Sequence, residues 1–182
     1  MAKKSATSSS KSYQEFPVSS LSQTLTELKS PDKCAKGEAL EFLAIRLSQL
    51  LDLDFKGWLL RSADSNNIEV GVVADGRQVP FSRWLIQCRN ARQVDMEDIA
   101  TAVGRSVSFR PSIVLSVTSG CFTQQARHYV IRAMQLTNLQ VFLVDAHDLR
   151  AIAADEATIK SILSRGAEQA KSFREQVTPF YA

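Results

Sequence analysis

Two short apolar runs limit the fold more than any other feature of this chain. Ser112-Ile113-Val114-Leu115-Ser116-Val117-Thr118 and Leu139-Gln140-Val141-Phe142-Leu143-Val144 are continuous rather than alternating. A strand that is apolar on both faces has to be covered on both, which is the habit of parallel strands. Between the runs, Thr123 can cap a helix through Ala126, Val130, Ile131 and Met134, with Phe122 placed as a hydrophobic staple. Strand, helix, strand reads as a right-handed parallel crossover. With 182 residues, one domain with a sizeable core is expected.

Upstream, Ile68–Ala74 and Arg83–Arg89 read as two strands, with Asp75-Gly76 as the turn signal. Each strand carries polar groups that its fold does not need. Glu69 interrupts the first apolar run. Gln87 and Arg89 share one face of the second, because strand side chains alternate. A carboxylate then faces an amide and a cation. This set suits a hydrated divalent metal beside a phosphate, and it equally suits an ordinary cross-strand ion pair. An exposed pair of that kind is worth roughly 0–1 kcal/mol.

The remaining elements follow from spacing and punctuation. Val18, Leu21, Leu25 and Leu28 have helical spacing, with Ser19 or Ser20 as cap and Pro31 as the stop. A longer helix runs from Lys36 to Leu51, its stripe formed by Leu40, Leu43, Leu47, Leu50 and Leu51. Phe55–Arg61 reads as a strand, and Ala63–Asn67 as a polar loop. Asp95 caps another helix, with Asp98 at the capping-box position and Gly104 as its end. Short helical pieces follow Ala146, and a polar helix covers Glu156–Gln176. The expected product is an α/β fold with a mixed central sheet flanked by helices. Its parts are a disordered basic tail (1–16), an N-terminal helix (17–31), a core (32–154) and a C-terminal helix (155–182).

Composition removes several function classes. Residues 1–12 carry Lys3, Lys4 and Lys11 and no acid, so they account for the whole net charge of +3, and the rest of the chain is neutral in sum. Bulk charge therefore gives no argument for nucleic-acid binding, and only a local patch could supply one. With His128 and His147 as the only histidines, a histidine-rich metal site is excluded. Cys34, Cys88 and Cys121 lack paired spacing and read as reduced thiols of a cytoplasmic protein. No apolar run approaches the roughly 20 residues that span a bilayer, and the N-terminus lacks the apolar region of a signal peptide.

The order of elements, with an acidic strand followed by a Q-x-cation strand, resembles the Mrr-type restriction endonuclease domain of the PD-(D/E)XK nuclease superfamily. The resemblance covers Gly37 to Ala153, through GEALEFLAIRLSQLL, WLIQCRN, IVLSVTSGCFTQQARHYV and VFLVDAHDL. It implies an α-βββ-α-β core with extra terminal helices. It also implies a site in which Glu41 matches the family's helix glutamate and Glu69 its metal-binding aspartate. Gln87 and Arg89 match the glutamine and lysine of the family's Q-x-K, and Asp64 lies near a second acidic position. In that family, carboxylates hold Mg²⁺ or Mn²⁺ and the metal acidifies a water beside the scissile phosphate. The metal ligands would be Glu69, Gln87, the Cys88 carbonyl and Asp64.

The chain departs from the pattern in two places. Glu69 is one methylene longer than aspartate, and Mg²⁺ demands near-ideal octahedral geometry. Arg89 keeps the charge but cannot surrender a proton. The resemblance therefore implies a protein acting on DNA with impaired or lost metal-dependent cleavage. Two alternatives accompany it: an active Mg²⁺-dependent DNA endonuclease, and a catalytically silent module, needing no metal, that binds a protein partner through its terminal helices. A homodimer is implied where both DNA strands are cut.

Overall fold

The computed structural model describes residues 20–62, 68–77 and 82–175. The expected basic tail and Asp64 lie outside these residues. A five-stranded mixed sheet forms the centre, in the order β1-β2-β3-β5-β7. Its members are β1 (Leu53–Ser62), β2 (Ile68–Gly76), β3 (Arg83–Asn90), β5 (Ile113–Thr118) and β7 (Gln140–Val144). The first three are antiparallel neighbours. β5 and β7 join in parallel, as their continuous apolar runs require.

Helices cover both faces. On one side, α1 (Leu21–Glu27), α2 (Lys33–Leu50) and α5 (Ala146–Ala154) bury Leu21, Leu40, Leu43 and Leu149 against Val70, Ile86 and Leu115 of the sheet. On the other, α3 (Met96–Phe109) and α4 (Gln124–Leu136) pack Ile99, Ala126 and Val130 on Leu85, Val114 and Val141. α6 (Thr158–Glu175) contributes Ile159 and Ile162 to the first core and Ala170 to the second, so it passes along the β7 edge. The apolar stripes of both terminal helices are therefore buried in the chain's own cores. What α1 and α6 leave for any partner is their polar faces.

Local chemistry explains the helix starts. Ser20, Asp32 and Thr123 each accept a backbone N–H from the first turn of α1, α2 and α4. Asp95 with Asp98, and Asp145 with Asp148, form reciprocal capping boxes at α3 and α5.

Two expectations are corrected. Asp75-Gly76 is not the hairpin turn, because β2 continues through Gly76. Asp75 lies opposite Arg83 and accepts a hydrogen bond from its Nε at 3.0 Å, and Gly76 N–H donates to the Ser82 carbonyl. The ion pair and the added rung outweigh the local turn preference. α3 likewise does not end at Gly104. It continues to Phe109 and stops at Arg110, which takes the left-handed conformation (φ 48°) just before Pro111. A single glycine costs a helix only about 1 kcal/mol, and the packing of α3 on α4 and β5 supports the longer helix.

One small feature carries no sequence signal. β4 (Gln93–Val94) and β6 (Cys121–Phe122) form a two-stranded parallel sheet that ties the end of β3 to the end of β5. Gly120 makes that tie possible. A Cβ there would lie 2.2 Å from the carbonyl oxygens of Ala91 and Arg92, both backbone atoms. Gly120→Ala should therefore destabilise the domain by about 1–3 kcal/mol, the usual cost of overpacking. A urea denaturation midpoint within error of wild type would show that the two loops are not held this close.

Candidate functional site

The site grows from the antiparallel pairing of β2 and β3. In that register Glu69 stands opposite Arg89, and Gln87 stands opposite Gly71, which has no side chain. Gln87 can then lean diagonally toward Glu69. Its Nε2 donates to Glu69 Oε1. Arg89 Nη2 donates to Glu69 Oε2 at 2.9 Å. Because side chains alternate, these three residues project from the face covered by α3, while Val70, Ile86 and Cys88 face α2.

α3 completes the site. Asp98, in its first turn, accepts from Arg89 Nη1 through Oδ1 while Oδ2 caps the Asp95 N–H. Arg105 lies about two turns further along the same helix. Its Nη1 donates to Glu69 Oε1 at 2.6 Å. Both oxygens of Glu69 thus accept from guanidinium groups. Glu69 is buried, only 7% exposed, and the side chains of Arg89 and Arg105 are 12% and 28% exposed. The expected exposed pair is in fact a buried network, so the small value for a surface pair does not apply to it.

Two other candidates are Glu41 on α2 and Cys88 on β3. Glu41 stands half-buried on α2, whereas the hydrogen bonds described at the Glu69 carboxylate come from β3 and α3. Cys88, whose backbone carbonyl is the expected ligand, sits between its register partners Val70 and Val117, and complete burial pushes its thiol pKa well up, so its side chain is an inert core group. Arg105 escapes the sequence reading because Gly104 signals the end of its helix. The available signal was its spacing from Asp98, which puts a cation and a carboxylate on one face.

A restriction endonuclease family model, of the Mrr catalytic type, matches residues 35–153. The chain belongs to the Mrr-type restriction endonuclease family. No curated protein matches it. Among solved structures, the DNA modification-dependent restriction endonuclease AspBHI aligns at 13% identity with a TM-score of 0.39, over 94% of this chain and 45% of that one. The chain therefore spans less than half the length of that protein.

Nucleases of the Mrr type typically use divalent metals, so the fit of such an ion can be tested on this geometry. One feature of the Mrr-type centre here favours it. Gln87 Oε1 is buried without a hydrogen-bond partner among the described residues, and a hard cation takes such an oxygen. The rest opposes it. Mg²⁺ seeks about six oxygen ligands, yet both Glu69 oxygens already accept from Arg89 and Arg105. Those two guanidiniums place positive charge where the ion would stand, and Asp98 and Glu69 balance them. The residues present do not fit a divalent metal at Glu69.

A second cluster, Asp145, His147 and Asp148, has ligand atoms within 4.8 Å of one another. Its carboxylates form the capping box of α5, and Asp145 Oδ2 also accepts from Arg127 at 2.9 Å. These bonds explain the cluster as a helix cap.

Breaking a buried ion pair leaves an uncompensated charge and costs about 3–5 kcal/mol. Glu69→Ala should fall at the low end, about 3 kcal/mol, because Asp98 still holds Arg89. Equilibrium urea unfolding reads this directly. A loss below about 1 kcal/mol, the range of exposed pairs, would mean that the network is not sequestered.

Proposed function

We propose that this Mrr-type domain engages DNA and does not cleave it by metal-dependent phosphodiester hydrolysis. The observation that carries the reading is the Glu69 carboxylate, both of whose oxygens accept from guanidiniums. A divalent cation at that carboxylate would have to displace or stand beside two guanidiniums. Arg89 stands in the lysine position of the family motif, and an arginine, unlike a lysine, does not serve as the base that activates a water. The two terminal nitrogens of Arg89 bridge Glu69 and Asp98, a holding role.

DNA is supported by the family and by local charge. Residues 83–136, which include β3, α3, β5 and α4, hold seven arginines against three acids. Four of the arginines, Arg83, Arg89, Arg105 and Arg127, are paired with carboxylates, which leaves Arg92, Arg110 and Arg132 as exposed cations that the neutral bulk charge conceals. Phosphate contacts of such cations give binding that weakens steeply with salt. Residues 32–154 form the nuclease-like unit in this reading, and α1 and α6 are additions packed on it.

A second reading, an active Mg²⁺-dependent endonuclease, is favoured by one observation, the unpartnered buried Gln87 Oε1. A plasmid-nicking assay with Mg²⁺ and Mn²⁺, paired with fluorescence anisotropy on duplex DNA, separates the two. Wild type should bind duplex at low salt and leave the plasmid uncut. Glu69→Asp with Arg89→Lys and Arg105→Ala should bind Mn²⁺ by calorimetry where wild type does not. Metal-dependent nicking by wild type that disappears in Glu69→Ala would establish the second reading instead.

A further inference from the structure

We propose that a cavity at the carboxyl ends of β3, β5 and β7 receives a phosphodiester group of the DNA backbone, with Lys29, Arg92 and Arg150 as its cationic wall. The cavity has a volume of about 240 Å3. It opens where Asn90 ends β3, Ser119 follows β5 and Ala146 begins α5 after β7. These three strands are parallel neighbours. The crevice outside the carboxyl ends of such strands is where open α/β sheets hold ligands.

The charge of the wall is one-sided. Lys29, Arg92 and Arg150 come from three separate parts of the chain and are exposed, and no carboxylate lines the cavity with them. Among the described residues none of the three is in an ion pair, whereas Arg46, Arg83, Arg89, Arg105 and Arg127 all are. A larger cavity of about 620 Å3 against α4, α5 and α6 lacks this bias, since Asp145 and Asp148 line it beside Arg127 and Arg165. The smaller cavity combines its cations with an apolar floor, provided by Leu25, Leu28 and Leu149. A phosphate with its sugar has that same division between an anionic head and a less polar body.

The wall is held in place before any ligand arrives. Asn90 Nδ2 donates to the Leu28 carbonyl at 2.9 Å, and Ser119 Oγ donates to Asn90 Oδ1, so the ends of α1, β3 and β5 are tied at one residue. The Arg92 carbonyl accepts from Cys121 N–H at 3.2 Å, in the close approach that Gly120 permits. Lys29 lies outside the residues matched by the family model, so the segment after α1 adds a cation from beyond the matched region. Asn90 directly follows Arg89, which places the cavity at the same end of the sheet as the Glu69 network.

The proposal rests on the DNA-binding reading above, and the test separates their failures. Fluorescence anisotropy of a labelled duplex is followed across a salt series for wild type and for Lys29→Ala/Arg92→Ala/Arg150→Ala. Affinity should fall in the triple variant. The slope of log K against log salt should become shallower by at least about 0.9, the value of one neutralised phosphate. Each single variant, and Arg92→Glu most strongly, should shift the slope in the same direction. Lys160→Ala, an exposed cation on α6, should leave it unchanged. A triple variant that keeps the wild-type slope overturns this site and leaves the DNA reading standing. Wild type that binds no duplex even at low salt overturns both.

Discussion

The structure turns on a buried carboxylate that needs a counter-charge. Glu69 lies in β2, one side of it in the sheet and the other under α3, where water cannot solvate it. An isolated charge there would cost several kcal/mol and would take up a proton or disrupt the packing. Two arginines supply the counter-charge from two directions, Arg89 from β3 and Arg105 from α3. Asp98 then balances the second cation. The four charged side chains sum to zero, and each holds another in position. The network adds a polar tie between two strands and a helix to the apolar packing around them.

The two changes from the family pattern matter through geometry, since both conserve charge. A lysine presents one compact ammonium, whereas a guanidinium presents a planar fork. Arg89 uses the two arms of that fork on two different carboxylates, Glu69 and Asp98. A lysine in its place would lack the second fixed arm. Glutamate in turn reaches one methylene further than aspartate, and in this structure the reach ends on Arg105 of the opposing helix. Glu69 and Arg89 fit one another, and with Asp98 and Arg105 they form an ion network; in the proposed reading it stands where the family pattern has metal ligands. Gln87 keeps the family residue: its amide N–H is used by Glu69, and its oxygen has no partner among the described residues.

Much of the fold was legible in the sequence, for physical reasons that also mark its limits. β5 and β7 were clear because strands covered on both faces cannot hide their apolar runs. Alternation put Gln87 and Arg89 on one face, but the register that sets Arg89 opposite Glu69 comes from strand pairing that alternation does not fix. The burial of the Glu69–Arg89 pair was not legible, because burial depends on α3, and Gly104 is a false stop for α3. That false stop removed Arg105 from view and left Glu69 looking like half of a surface pair. Asp75-Gly76 misled for the opposite reason. A strong local turn preference yielded to pairing on both sides, with Arg83 across one strand and Leu53 and Asp54 across the other. β4 and β6 are two residues each, too short to carry any period.

The distribution of arginines follows the same logic of paired against unpaired charge. Net charge said nothing about partners, because cations that neutralise internal acids and cations that face solvent count alike in a sum. The structure separates them. Arg46, Arg89, Arg105 and Arg127 are bound to carboxylates of the chain itself. Arg92, Arg110, Arg132 and Arg150 are exposed and make no ion pair with a described residue. Only the second group projects a field that an approaching polyanion can feel, because a paired charge is cancelled at distances beyond its partner. The Glu69 network therefore removes its arginines from the surface potential. In the proposed reading, holding a nucleic acid falls to cations outside that network, at the end of the sheet where Arg92 and Arg150 stand.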